Sequence, residues 1–95
     1  MQRERKLARG QSLFVGIRSR DVLYYEGKAT AVSSRNAKGP FDILPQHTHF
    51  ISLITDGVVI HMTDGTDKKI DFLNAVLKVK DNKVEIYIGI DQSKR

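Results

Sequence analysis

Apolar and polar side chains alternate at every second position through most of this chain, and that period is the strongest constraint on its fold. Leu13, Val15 and Ile17 fall on one side of a first stretch. Val22 and Tyr24 alternate with Leu23 and Tyr25, and Ala29, Ala31 and Ser33 alternate with Thr30 and Val32. Successive side chains on an extended strand point to opposite faces, so such runs read as half-buried strands, whereas a helix would need apolar residues three and four apart. The apolar positions are rich in β-branched residues, which suit a pleated surface. Glu26-Gly27, Asp56-Gly57, Asp64-Gly65 and Asp81-Asn82 punctuate the runs. Gly and Asn tolerate the positive φ of tight connections, so each pair predicts a turn and the last three predict hairpins. The expectation is an all-β fold, an antiparallel β-sandwich or flattened barrel of about eight to ten short strands. Val15, Ile17, Val32, Leu53, Ile60, Phe72, Val79 and Ile86 are its expected core.

At 95 residues the chain has room for one domain. No cysteine is present, so neither a disulfide framework nor a thiolate metal site is available. No apolar run approaches the ~18 residues of a membrane-spanning helix, and the charged start has no apolar segment behind it. A cytoplasmic or peripheral protein is the expectation. The formal charge is +5, which raises the question of nucleic acid. Residues 1–10 carry Arg3, Arg5, Lys6 and Arg9 against Glu4, and residues 91–95 carry Lys94 and Arg95 against Asp91, which leaves 11–90 nearly neutral. Basic tails of this kind more often solubilise than recognise. The organisation expected is a basic flexible arm over 1–11, a β domain over 12–90 and a tail over 91–95. No lysine-and-aromatic stripe of a nucleic-acid-binding face is evident along the sequence.

Catalytic chemistry finds little support. His47 and His49 are two apart and could share a strand face, with His61 on another run. A zinc site, however, wants three or four ligands and a second shell, so no metal or cofactor is expected. Asp64, Asp67 and Asp71 sit in or beside a predicted turn, where Asp serves turn geometry. Ser33-Ser34 lacks the strained elbow of a nucleophile, and no glycine-rich loop precedes a helix to cradle phosphate. Lys78, Lys80 and Lys83 read as the wet side of a sheet. No catalytic residue is assigned, and the chain reads as a non-enzyme.

The segment Phe41-Asp42-Ile43-Leu44-Pro45-Gln46-His47 resembles the F-G-I-L-P-G-H motif of the epsilon subunit of F-type ATP synthases, called delta in mitochondria. The flanks agree in order. Residues 21–29, Asp-Val-Leu-Tyr-Tyr-Glu-Gly-Lys-Ala, resemble the family's L-F-E-G-E-A opening, 51–60 resemble its L-L-T-A-L-x-x-G-x-L-x-I, and 72–86 resemble its V-S-G-G-x-L-E-V and following strand. The likeness covers roughly residues 12–90. It implies the family's N-terminal β-sandwich, in a non-catalytic central-stalk subunit of a proton-translocating synthase that links the gamma subunit to the c-ring. By resemblance, the gamma-facing residues are Ile43, Leu44, Pro45 and His47, and the ring-facing residues are Arg35, Lys38, Gly39 and Pro40. Neither lipid insertion nor nucleic acid is implied, and the location would be peripheral, on the cytoplasmic face of the membrane.

Three departures from the family pattern stand out. Asn74 and Ala75 replace two glycines, Gln46 replaces another, and the commonly acidic loop before the motif is basic here through Arg35 and Lys38. Bacterial members continue into a two-helix domain, whereas this chain ends at Arg95; the expectation is coupling without inhibition and without nucleotide binding. The competing reading is a small β-barrel that binds nucleic acid or an acidic partner through its basic arm.

Overall fold

A computed structural model of the chain describes residues 12–45 and 49–89. The expected arm, the tail and His47 lie outside the described residues. Eight strands form among the described residues: β1 (Leu13–Arg18), β2 (Leu23–Ala29), β3 (Ala31–Asn36), β4 (Gly39–Ile43), β5 (His49–His61), β6 (Asp67–Ile70), β7 (Asn74–Lys80) and β8 (Lys83–Ile88). They join one curled sheet in the order β2-β1-β8-β7-β5-β3-β4, with β6 beside β5. The two layers are thus the halves of a single sheet rolled into a half-barrel. The sheet is mixed: β1 and β8 pair in parallel, Val15 opposite Val84 and Ile17 opposite Ile86, while the other pairings are antiparallel. Parallel neighbours cannot be joined by a tight turn. That condition is met here, because the rest of the domain connects them.

The inner face is an aliphatic core. Leu13, Val15, Ile17, Val32, Ile54, Ile60, Leu77, Val84 and Ile86 have no exposed surface. Tyr25, Phe41, Met62, Ile70, Phe72 and Ile88 pack around its margin. Of the expected core, Val15, Ile17, Val32, Ile60, Val79 and Ile86 are buried. Leu53 is not, being 70% exposed, and Phe72 is only half-buried at the margin. The cause for Leu53 lies in the neighbouring strand. Lys78 and Lys80 turn their face of β7 to water, Val76 shares that face, and Leu53 is the cross-strand partner of Val76. Ile54, opposite Ala75, takes the inward position instead.

Two predicted turns are absent as turns. Glu26-Gly27 lies inside β2, and the β1–β2 connection closes earlier, where Ser19 N donates to Val22 O at 2.8 Å. Asp56-Gly57 does not reverse the chain either: β5 runs through it for 13 residues. Both residues have positive φ, 63° and 82°, and they form a bulge. Ser33 pairs with Val59 and Arg35 with Thr55, so residues 56–58 face Ser34 alone. The Ser34 hydroxyl donates to Gly57 O at 2.8 Å, tying off the bulged carbonyl. A Cβ on Gly57 would sit 2.6 Å from Ile70 O, so glycine is required there for space as well as for φ. The bulge lets one strand serve two neighbours on the same side, β7 before it and β6 after it.

The other two predicted turns form. Asp81 and Asn82 both take positive φ between paired Lys80 and Lys83, the signature of a type I′ hairpin. In the β5–β6 connection, Gly65 takes φ 94° and Asp64 accepts from the Thr66 hydroxyl and amide. The hydroxyl contact first, then the amide, holds the Asp64 carboxyl below its usual range.

Candidate interaction site at the β3–β4 hairpin

The β3–β4 hairpin turns over two residues, Ala37 and Lys38, between paired Asn36 and Gly39. The Asn36 carboxamide oxygen accepts from Lys38 N at 2.9 Å, and Gly39 takes φ 121°. Asn36 also donates to the Ser52 hydroxyl at 3.1 Å, fastening the hairpin to β5. Every described residue of both proposed interface sets lies on this hairpin or just after it: Arg35 near the end of β3, Lys38 in the turn, Gly39 and Pro40 at the start of β4, and Ile43, Leu44 and Pro45 at its exit.

Their exposures separate them. Leu44 is 50% exposed, but Ile43 is buried at 8% and pairs with Val32 above the core. Ile43 therefore serves mainly to anchor the segment, while Leu44 projects. Arg35 is held loosely, its Nε 3.9 Å from Asp56 Oδ2, with both side chains largely in water. A pair of that kind contributes little to stability.

Beneath β4 the half-barrel is open. A groove of about 360 Å³ runs there, lined by Lys38, Pro40, Phe41, Leu44, Phe50 and Val79 among others. Phe41 and Phe50 meet edge to face in its wall, ring centres 5.8 Å apart at 70°. Most of its walls are apolar, and β4 beside it is an edge strand paired only with β3 among the described residues. Sequence reading missed the groove, because its walls come from β4, β5 and β7 and only the curl of the sheet brings them together.

Among the described residues the histidines do not converge. His49 and His61 stand at opposite ends of β5, on the order of 35–40 Å apart along an extended strand. His49 Nε2 lies 3.5 Å from Asp81 Oδ1. His61 belongs to a polar row across four strands: Asp67 Oδ1 lies 2.9 Å from its Nδ1, and Ser33 Oγ lies 2.8 Å from its Nε2 and donates to Asp42 Oδ1 at 2.6 Å. This order of acid, imidazole and hydroxyl has the contacts of a hydrolase triad. A nucleophilic serine must hand its proton to the imidazole, however, and Ser33 donates its only proton to Asp42. The row acts as a tie between β4, β3, β5 and β6. Nothing in the spacing of residues 33, 42, 61 and 67 announces it.

Comparison with known proteins completes the picture. Residues 12–89 match the family model described as ATP synthase, Delta/Epsilon chain, beta-sandwich domain. The ATP synthase epsilon chain of Micrococcus luteus is 43% identical over 54 residues, which is 56% of this chain and 59% of that protein. A chain in the cryo-EM structure of the Euglena gracilis mitochondrial ATP synthase, OSCP/F1/c-ring in rotational state 1, superposes with a TM-score of 0.75. That match has 14% identity and covers 82% of this chain and 51% of the other, so it speaks to the fold. The chain thus spans between about half and three-fifths of the length of the relatives it matches. On the match across residues 12–89, the chain belongs to the ATP synthase delta/epsilon family and carries its beta-sandwich domain.

Proposed function

We propose that this chain serves as the β-sandwich part of a non-catalytic central-stalk subunit, linking the gamma subunit to the c-ring of a proton-translocating F-type ATP synthase. The observation that carries the proposal is the family match over residues 12–89, supported by the gathering of the expected contact residues at one end of the half-barrel. A coupling element of this kind has to pass torque without deforming. A closed aliphatic core with tied hairpins supplies that stiffness, and exposed apolar residues beside the edge strand supply adhesion. In this reading Leu44 and Pro45 meet gamma together with His47, while Ile43 holds them in place from beneath. Arg35, Lys38, Gly39 and Pro40 face the ring. The working location is the cytoplasmic face of the membrane, reached through the complex.

The test is co-expression with the gamma subunit of the same organism and affinity capture. The wild-type chain retains gamma, and Leu44→Asp reduces the retained fraction several-fold while leaving the thermal transition of the free chain in place. Failure of the wild-type chain to retain gamma at any salt concentration rejects the rotor assignment.

A further inference from the structure

Resting on the rotor reading above, we propose that the groove beneath β4 receives an apolar side chain from the ring's polar loop, and that Lys38 at its rim pairs with a carboxylate beside that side chain. The partner loop would thus be acidic at the facing position. Three observations lead there.

The first is shape and lining. At about 360 Å³, with Phe41, Phe50 and Val79 in its walls, the groove has room for a bulky aliphatic or aromatic side chain. The second is the edge beside it. An edge strand can recruit a partner by adding a strand, but Pro40 sits in β4 with no N–H to give, which blunts that ladder. Recognition then passes through side chains in the groove. The third is charge. Lys38 and Asp42 are the charged residues that line the groove. The Asp42 carboxylate accepts the Ser33 hydroxyl, whereas Lys38 enters no ion pair among the described residues. Arg35, on the same hairpin, is only loosely held by Asp56. The rim is left cationic, which attracts a carboxylate and repels a basic loop.

The experiment measures affinity of the full chain for the intact c-ring purified from the same organism, over a salt series, with gamma retention scored in parallel. Lys38→Glu should weaken ring binding by about tenfold or more at low salt, with the deficit shrinking as salt rises. Changing the facing acidic residue of the ring loop to lysine should restore it. Phe50→Ala, which removes one groove wall, should weaken binding about tenfold at every salt concentration and leave gamma retention unchanged. Its thermal transition, measured alongside, separates a lost wall from a lost fold, and Lys38→Glu at an exposed turn stands independently of that control. Wild-type affinity in both variants, with ring and gamma still bound, rejects the groove and leaves the rotor assignment standing. A wild-type chain that holds neither ring nor gamma rejects both.

Discussion

The two halves of β5 lie in one continuous strand and meet opposite fates. After the bulge, Val58 and Ile60 are buried between β3 and β6. Before it, Phe50, Ile51 and Leu53 are exposed although they are apolar, and Ile54 alone is buried. Hydrophobicity alone therefore does not decide burial in this molecule. Neighbours do: the second half faces the closed core, while the first half lies beside the open groove on one face and the lysine-bearing side of β7 on the other. The closed half is scaffold, and in the proposed function the open half is the surface offered to a partner.

That division is broken most forcefully in the closed half. Ile60 has no exposed surface and lies opposite Val32. Truncation to alanine, Ile60→Ala, should cost about 2–5 kcal/mol through lost transfer energy and the cavity left behind. In a chain of this size that approaches the whole stability. Urea denaturation gives the value, and a loss near zero would show that the half-barrel can collapse around the site.

The hinge between the halves comes next. Gly57→Ala places a Cβ against Ile70 O in a conformation that L-residues rarely adopt, and should cost about 1–3 kcal/mol. Because the clash is with β6, hydrogen exchange should speed up first at residues 67–70, and β7 should stay protected. Equal loosening on both sides of the bulge would mean that the two halves fold as one unit.

Legibility in the sequence follows the same division. Strand type, the hairpins at Asp64-Gly65 and Asp81-Asn82, and most of the core were readable from period and turn chemistry, because both are local. Asp56-Gly57 misled because the same two residue types serve a hairpin turn and a bulge. Which one forms depends on whether β3 continues alongside, and it does. Leu53 misled for the same reason, since Lys78 and Lys80 on another strand set its face. At the site, the resemblance picked out one segment, but it could not separate buried Ile43 from projecting Leu44. The groove and the Asp42–Ser33–His61–Asp67 row arise from register and curl, which no short window of sequence contains.

A smaller effect tests whether that polar row belongs to the closed half. Ser33→Ala removes the donor to Asp42 and the contact to His61 at a half-buried position. The expected loss is about 1 kcal/mol, with greater fraying of β4 than of β6, since Asp67 keeps His61. A chevron analysis resolves a change of that size, and an unaltered β4 would show the row to be incidental.

The smallest stability effect is expected in the open half, and there the comparison is sharpened. Leu53 is 70% exposed beside Val76 and in the same cross-strand row as Tyr87. Leu53→Thr introduces a β-branched, strand-compatible side chain and removes apolar surface that already meets water, so stability should move by no more than about 0.5 kcal/mol. The same change shrinks an exposed apolar patch, which should raise the solubility of the isolated chain. If instead Leu53→Thr destabilises the chain as much as Ile60→Ala does, then Leu53 is packed in solution, and the division of β5 into scaffold and surface fails at the strand that motivated it.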